Sequence, residues 1–439
     1  MTSTSQIISP ATAELDGKPL NALEQQAIDA EIDSQPAPVP TAAVASRNSQ
    51  ILLGASLVLI AFNLRPVFSS LSVLLPEIMA ATGLSSASAS LLTTLPVLCL
   101  GLFAPLAPML ARRFGAERTL LGMLILLAIG TAMRGLAGIP VLFFASGLAG
   151  ACIAVGNVLL PGLVKRDFPN KTALMMGLYT MSLCAGAAGA AGLTVPLEKL
   201  LNDSWATALA VWSLPAIVIA LVWAPQALAS KRHAQHNGFT VRGLWSDKLA
   251  WQVTFFMGLQ SALAYCVFGW LAPILRSRGM DGVTAGLAVS VSVMFQVATC
   301  LLVPPIAFKC SNQKLINVGL TAIAVIALVA MTLGPISGPW LWFWAGLQGV
   351  GQGGLFAAAM TVIVLRSPDA HVAAHLSSMS QAVGYTLAAM GPLTVGLLHS
   401  WTGSHHATAV LFIILGAGAA AFGIGAGRAR LVAAKTVAL

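Results

Sequence analysis

Twelve runs of apolar residues, each long enough to cross a bilayer as a helix, leave this chain few folds to choose from. They fall at about 51–79, 85–111, 119–138, 140–164, 172–197, 205–228, 248–275, 283–308, 314–334, 339–365, 372–399 and 407–428. A helix rises about 1.5 Å per residue, so roughly 20 residues cover a hydrocarbon core about 30 Å thick. Inside such a core every backbone N–H and C=O must be satisfied without water, which admits helices and closed barrels only, and runs of this length are helical. Charged residues make up 8% of the chain and gather between the runs, whereas a soluble core of this size would need a charged shell. The reading is an all-α membrane protein with twelve transmembrane helices.

The basic residues between the runs divide unevenly. Sixteen fall on one side of a twelve-span path, from Arg112, Arg113 and Arg118 to Arg428, Arg430 and Lys435; Arg134, Lys199, Arg276 and Arg278 fall on the other. Cytoplasmic loops carry the excess of Lys and Arg, so a multi-pass protein of the bacterial inner membrane with both termini cytoplasmic is expected. The net charge of +9 reflects those loops and is not a nucleic-acid footprint. Residues 1–48 hold six of the fourteen acidic residues and read as a disordered cytoplasmic tail without a cleavable signal.

A polar, basic break at 229–247 reads as a cytoplasmic linker between two six-helix bundles, 49–228 and 248–430, with a short tail at 431–439. The halves echo each other. Pro76 and Pro273, Gly83 and Gly279, and Arg112 and Lys309 lie 196 or 197 residues apart, and Arg166 and Arg366 lie 200 apart. A tandem repeat predicts two pseudo-symmetric bundles facing each other across an axis along the membrane normal.

Arg65 stands inside the first run, about 21 Å along the helix from Ile51, with no acidic residue of that run within one turn. A cation at that depth is expensive, and such residues face polar cavities and mark solute pathways. Pro66 follows it, removes a backbone donor and predicts a kink that leaves the Phe62 carbonyl without its usual partner. Beyond scattered Ser, Thr and Asn317, the spans carry Asn63 in the first, Asn157 in the fourth, Tyr179 in the fifth and Gln260, Tyr265 and Trp270 in the seventh. Gln296 follows in the eighth, Gln348 and Gln352 in the tenth, and Gln381 and Tyr385 in the eleventh. Spans three, six, nine and twelve carry little of this kind and are expected to face lipid. The plain alternative for each polar residue is a bond to a neighbouring helix, and for Arg65 a clamp on backbone carbonyls.

Chemistry beyond binding is not encoded. Glu77 and Glu198 approach the membrane only at span ends, there is no phosphate loop, and the six cysteines have no metal-type spacing. An intramembrane enzyme would need a Ser/His pair, paired Asp or a metal-ligand set within the spans. The reading therefore has no catalytic residue, no metal and no cofactor.

The segments AFNLRPVFSSLSVLLPEI (61–78), GNVLLPGLVKRDFP (156–169), MGLQSALAYCVFGWLAPILRSRG (257–279) and SQAVGYTLAAMGPLTVGLLHSWTGS (380–404) resemble the cyanate and 2-nitroimidazole transporter group of the major facilitator superfamily. PMLARRFGAERT (108–119) is similar to the superfamily's loop between helices two and three, with Arg112 where the pattern has an acid. The resemblance implies the major facilitator fold, alternating access by rocking of the two halves, and secondary active transport of a small anionic or polar solute, cyanate-like or nitroimidazole-like. Joined to the residue reading, it gives a substrate site. Arg65 is the electrostatic anchor, Asn63, Gln260 and Tyr265 orient the solute, Trp270 and Tyr179 supply aromatic walls, and Asn157, Gln352, Gln381 and Tyr385 complete the lining. The repeat offset sets Asn63 opposite Gln260. Expected partners are the solute and the lipid bilayer, with the chain a monomer. A multidrug efflux carrier of the same fold and a non-transporting membrane sensor are the alternatives.

Overall fold

The structure, a computed structural model, describes residues 47–136, 138–168, 171–229 and 239–438. Twelve helical segments among them are long and apolar enough to cross a membrane. Spans one to six are Gln50–Val73, Ser86–Phe103, Ala116–Leu136, Ile139–Asp167, Leu174–Leu200 and Trp205–Ala229. Spans seven to twelve are Lys248–Ser277, Gly282–Lys309, Lys314–Leu333, Pro339–Leu365, Val372–Thr402 and His405–Ala426. Their ends follow local chemistry. The side chains of Ser85, Asp281 and Asp369 accept the first free amides of spans two, eight and eleven, and Gly83 and Gly403 close helices in the left-handed region, at φ of 70° and 59°.

The spans form two six-helix bundles that meet along span five against span eight and span two against span eleven. The apolar stretch of span seven is 83% buried and that of span ten 72%, against 39% for spans nine and twelve. Exposed Ile129 of span three, Leu221 of span six, Ile326 of span nine and Ile414 of span twelve form faces where lipid takes the place of a core. An even number of spans brings both ends of the bundle's chain out together, here called the basic end; the opposite end is distal.

At the basic end β1 (Phe239–Arg242) pairs antiparallel with β2 (Lys435–Ala438), Arg242 standing opposite Lys435. Segments expected as linker and tail are thus joined. One carboxylate oxygen of Asp247 caps span seven by accepting the Ala250 amide, and the other accepts the Ala433 amide, both at 2.8 Å. The expected tail as far as residue 46, and residues 230–238 of the linker, lie outside the described residues.

Two arginines counted among the loop charges are buried instead. Arg134, fully buried at the distal end of span three, donates to the Val67 carbonyl at 3.0 Å and to Ser146 Oγ at 3.2 Å. Arg366, 4% exposed at the basic end, donates to the Ala426 carbonyl at 3.0 Å and to Gln313 Oε1. Its counterpart in the first half, Arg166, donates to Glu117 at 2.6 Å. Glu117 and Gln313 are 196 residues apart and Arg166 and Arg366 are 200 apart, so the same clamp recurs in both halves.

Candidate functional site

Span one is two helices. The first, Arg47–Phe62, stops because Pro66 has no N–H for the Phe62 carbonyl; the amides of Asn63 and Leu64 reach back three residues, to Ile60 and Ala61, at 3.1 Å each. The second, Pro66–Val73, starts with Pro in its first turn, where a missing N–H does no harm. Arg65 sits at the junction.

Three contacts hold the break in place. The Phe62 carbonyl presses against Gly186 of span five so closely that a Cβ there would lie 2.1 Å from the oxygen. Ser182 donates to the Val58 carbonyl at 2.6 Å, before the break, and Arg134 holds the Val67 carbonyl after it.

Span seven faces this break with an irregularity of its own. Pro273 offers no N–H to the turn before it, and Val267–Leu271 widens into a single π turn directly past Tyr265. Arg65 Nη1 donates to the Tyr265 hydroxyl at 3.3 Å, and the guanidinium carbon stands 5.7 Å from the Phe268 ring centre and 5.9 Å from that of Tyr265. These are cation–π distances. Tyr385 meets the Tyr265 ring edge-on at 6.0 Å.

Between the halves lies a small cavity of about 50 Å³, walled by Arg65, Tyr265, Tyr385, Phe268, Gln260 and Gln352. That is room for a few waters. Five of the ten residues expected from sequence are therefore gathered on it: Arg65, Gln260, Tyr265, Gln352 and Tyr385.

The other five lie elsewhere. Asn63 donates within its own helix to the Leu59 carbonyl at 2.9 Å, so the amide facing Gln260 is that of Gln352 and not Asn63. Tyr179 donates to Asn157 at 3.5 Å, and neither lines the cavity. Gln381 donates to Ser377 at 2.9 Å, one turn back on its own helix. Trp270 walls a separate distal cavity of about 400 Å³ with His399 and His405, its ring 6.4 Å from that of His399.

Sequence reasoning missed Thr180, Cys184 and Ser261, and Cys300, all of which line the Arg65 cavity. Small hydroxyls and thiols are common at helix packing faces and carry no signal that separates lining from packing.

The distal side of the cavity is closed where Arg276, at the end of span seven, binds Glu77 and reaches the Val73 carbonyl at 3.3 Å. Residues separated by the repeat thus meet twice near the axis, Arg65 with Tyr265 at mid-span and Glu77 with Arg276 at the distal end. Two bundles in contact around a small central cavity have the geometry of a rocking carrier.

Residues 52–392 match the profile of the Major Facilitator Superfamily. The chain belongs to that superfamily. It is 38% identical to the 2-nitroimidazole transporter of Escherichia coli (strain K12) over 87% of this chain and 97% of that one. It is 29% identical to the cyanate transport protein CynX of the same organism, over 80% and 90% of the two chains. The fold is that of the D-xylose–proton symporter, with a TM-score of 0.69 at 14% identity, covering 86% of this chain and 97% of that one. As a member of the Major Facilitator Superfamily with these relatives, the chain is a multi-pass secondary transporter of small solutes. Among the described residues no group of three His, Cys, Asp or Glu is arranged to hold a metal ion.

Proposed function

We propose that this chain carries a small anionic or polar solute, cyanate-like or nitroimidazole-like, across the bacterial inner membrane, with Arg65 as its anchor. The observation that carries the reading is the surroundings of Arg65: among the described residues its guanidinium donates to the Tyr265 hydroxyl, and the lining of the cavity it faces includes no carboxylate. A guanidinium with one neutral partner, opening on a cavity between two bundles, is a ready receptor for an anion or for the oxygens of a nitro group. The names of the relatives fit that chemistry.

With the basic end in the cytoplasm, as the loop charges favour, the Glu77–Arg276 contact is the outer gate and is closed. The chain works as a monomer, each copy containing its own complete cavity.

Binding of cyanate and of 2-nitroimidazole to the full-length protein in lipid nanodiscs tests the reading. Arg65→Gln is expected to weaken binding by roughly 10- to 100-fold, as loss of a charge-assisted contact does. Arg65→Lys is expected to weaken it severely as well, because the planar fork is lost. Wild-type affinity in both variants would make Arg65 a structural clamp.

A further inference from the structure

The wall opposite Arg65 holds a chain of hydrogen bonds that all run one way. Gln352, 1% exposed on span ten, donates through Nε2 to the backbone carbonyl of Gln260 at 3.1 Å and to its side-chain oxygen at 3.3 Å. Gln260, fully buried on span seven, donates onward to Ser261 Oγ at 2.8 Å. A backbone carbonyl only accepts, so the orientation of the Gln352 amide is fixed: nitrogen toward Gln260 and oxygen away. That oxygen, Gln352 Oε1, is buried without a partner, although Gln352 lines the cavity. A buried amide oxygen left without a donor is unfavourable, and a donor arriving there also strengthens the bonds further along the chain.

The Arg65 end has the opposite polarity. Tyr265 accepts from Arg65, so its own O–H proton is free to point at a solute beside the guanidinium.

Taking the Arg65 cavity as the solute site, as proposed above, we infer that the solute is bipolar: an anionic or acceptor end on Arg65 and Tyr265, and an N–H or O–H donor at the other end that fills Gln352 Oε1. The two poles sort the candidate chemistries. A nitroimidazole carries a nitro group and a ring N–H, and a hydroxybenzoate carries a carboxylate and a phenolic O–H; both qualify. Cyanate has no hydrogen to give at neutral pH. It meets Arg65 and leaves Gln352 unfilled.

Matched pairs that differ by one donor test this on the full-length protein in nanodiscs: 2-nitroimidazole against its N1-methyl derivative, and 4-hydroxybenzoate against 4-methoxybenzoate, with cyanate as a separate arm. Methylation is expected to weaken binding by about tenfold or more in wild type, because the site is built to bond the missing hydrogen. In Gln352→Met the difference within each pair is expected to shrink to about threefold or less, which separates the lost hydrogen bond from the added bulk of the methyl group. Equal affinity within both pairs in wild type, or a penalty that persists in Gln352→Met, overturns the inference. Binding of cyanate alone, lost in Arg65→Gln, sustains the Arg65 anchor and overturns the bipolar solute. If no probe binds, cyanate included, the anchor falls and the inference with it. Should Gln352→Met fail to insert, wild type is compared on 4-hydroxy-3-methylbenzoate, which adds the methyl and keeps the O–H: tight binding there beside weak binding of the methyl ether sustains the inference, and equal weakening of the two overturns it.

Discussion

Glu77 and Arg276 close the distal end of the molecule by joining the first half to the second, 199 residues apart in sequence and in contact in space. Each side chain keeps 24% of its surface exposed, so the pair is partly screened and holds the gate by about 1 kcal/mol. Glu77→Gln should therefore shift the balance toward the distal-open state about fivefold and leave solute affinity within about a factor of two. Maleimide labelling of a cysteine at Ser90, buried at the distal part of the seam between spans two and eleven, reads the shift. Unchanged labelling would mean that the seams, and not this ion pair, keep the gate shut.

Gly186→Ala should be harmful where Gly189→Ala is not. The added methyl at residue 186 meets the Phe62 carbonyl at 2.1 Å, whereas at residue 189 it meets nothing within 4 Å. Overpacking of this kind costs about 1–3 kcal/mol. Because the strain falls on the break that positions Arg65, a lower unfolding temperature and a loss of solute affinity are expected together. Equal behaviour of the two variants in a thermal melt would separate the break from span five.

Gln313→Glu should stabilise the second half. Arg366 is held there by a neutral oxygen, whereas Arg166 of the first half has the carboxylate of Glu117 at the matching place. Exchanging a neutral acceptor for a charged one adds roughly 1 kcal/mol. Arg366→Met, which leaves Gln313 Oε1 and the Ala426 carbonyl without their donor, should remove roughly 2–3 kcal/mol. Denaturation in mild detergent checks both.

Asp281 introduces an acid sensitivity. The bonds it accepts from Thr284 and Val283 hold its carboxyl below the usual aspartate range. A depressed value means that the cap is fully formed above the ordinary pKa of about 4 and is lost as pH falls through the lower native value. Asp281→Ala should lower stability at pH 7 by about 1 kcal/mol, as loss of a helix cap does. The difference from wild type should narrow steadily below the aspartate range.

The spans were legible because length and apolarity alone decide them; their ends were less so, and the caps at Ser85, Asp281 and Asp369 that set several of them came from the structure. Arg65 and its proline break were legible for the same reason: a cation and a missing donor both stand out in an apolar run. Arg134 and Arg366 were not. A charge near a span end looks the same in sequence whether it enters water or folds back on a carbonyl, and only the three-dimensional path of Val67 or Ala426 distinguishes the two. The site divided along similar lines. Gln260, Tyr265, Gln352 and Tyr385 reach the cavity; Gln381, one turn from Tyr385 on the same face of span eleven, bonds Ser377 instead, and Trp270, five residues past Tyr265, is rotated to the distal cavity. The π turn that follows Tyr265 shifts that rotation within span seven.

With Arg65 as the solute anchor, as proposed, its guanidinium at mid-span also sets the electrical behaviour of the carrier. An empty site holds one positive charge, and a bound monoanion cancels it, so the membrane potential acts on the return of the empty carrier and leaves the loaded one alone. At about 2.3 kcal/mol per charge per 100 mV, that return becomes the voltage-dependent leg of the cycle. A neutral solute leaves the charge in place on both legs, and the two crossings cancel. For a solute that crosses without a coupled ion, the current that accompanies flux therefore reports the charge of the cargo: one elementary charge per turnover for a monoanion, none for a neutral molecule.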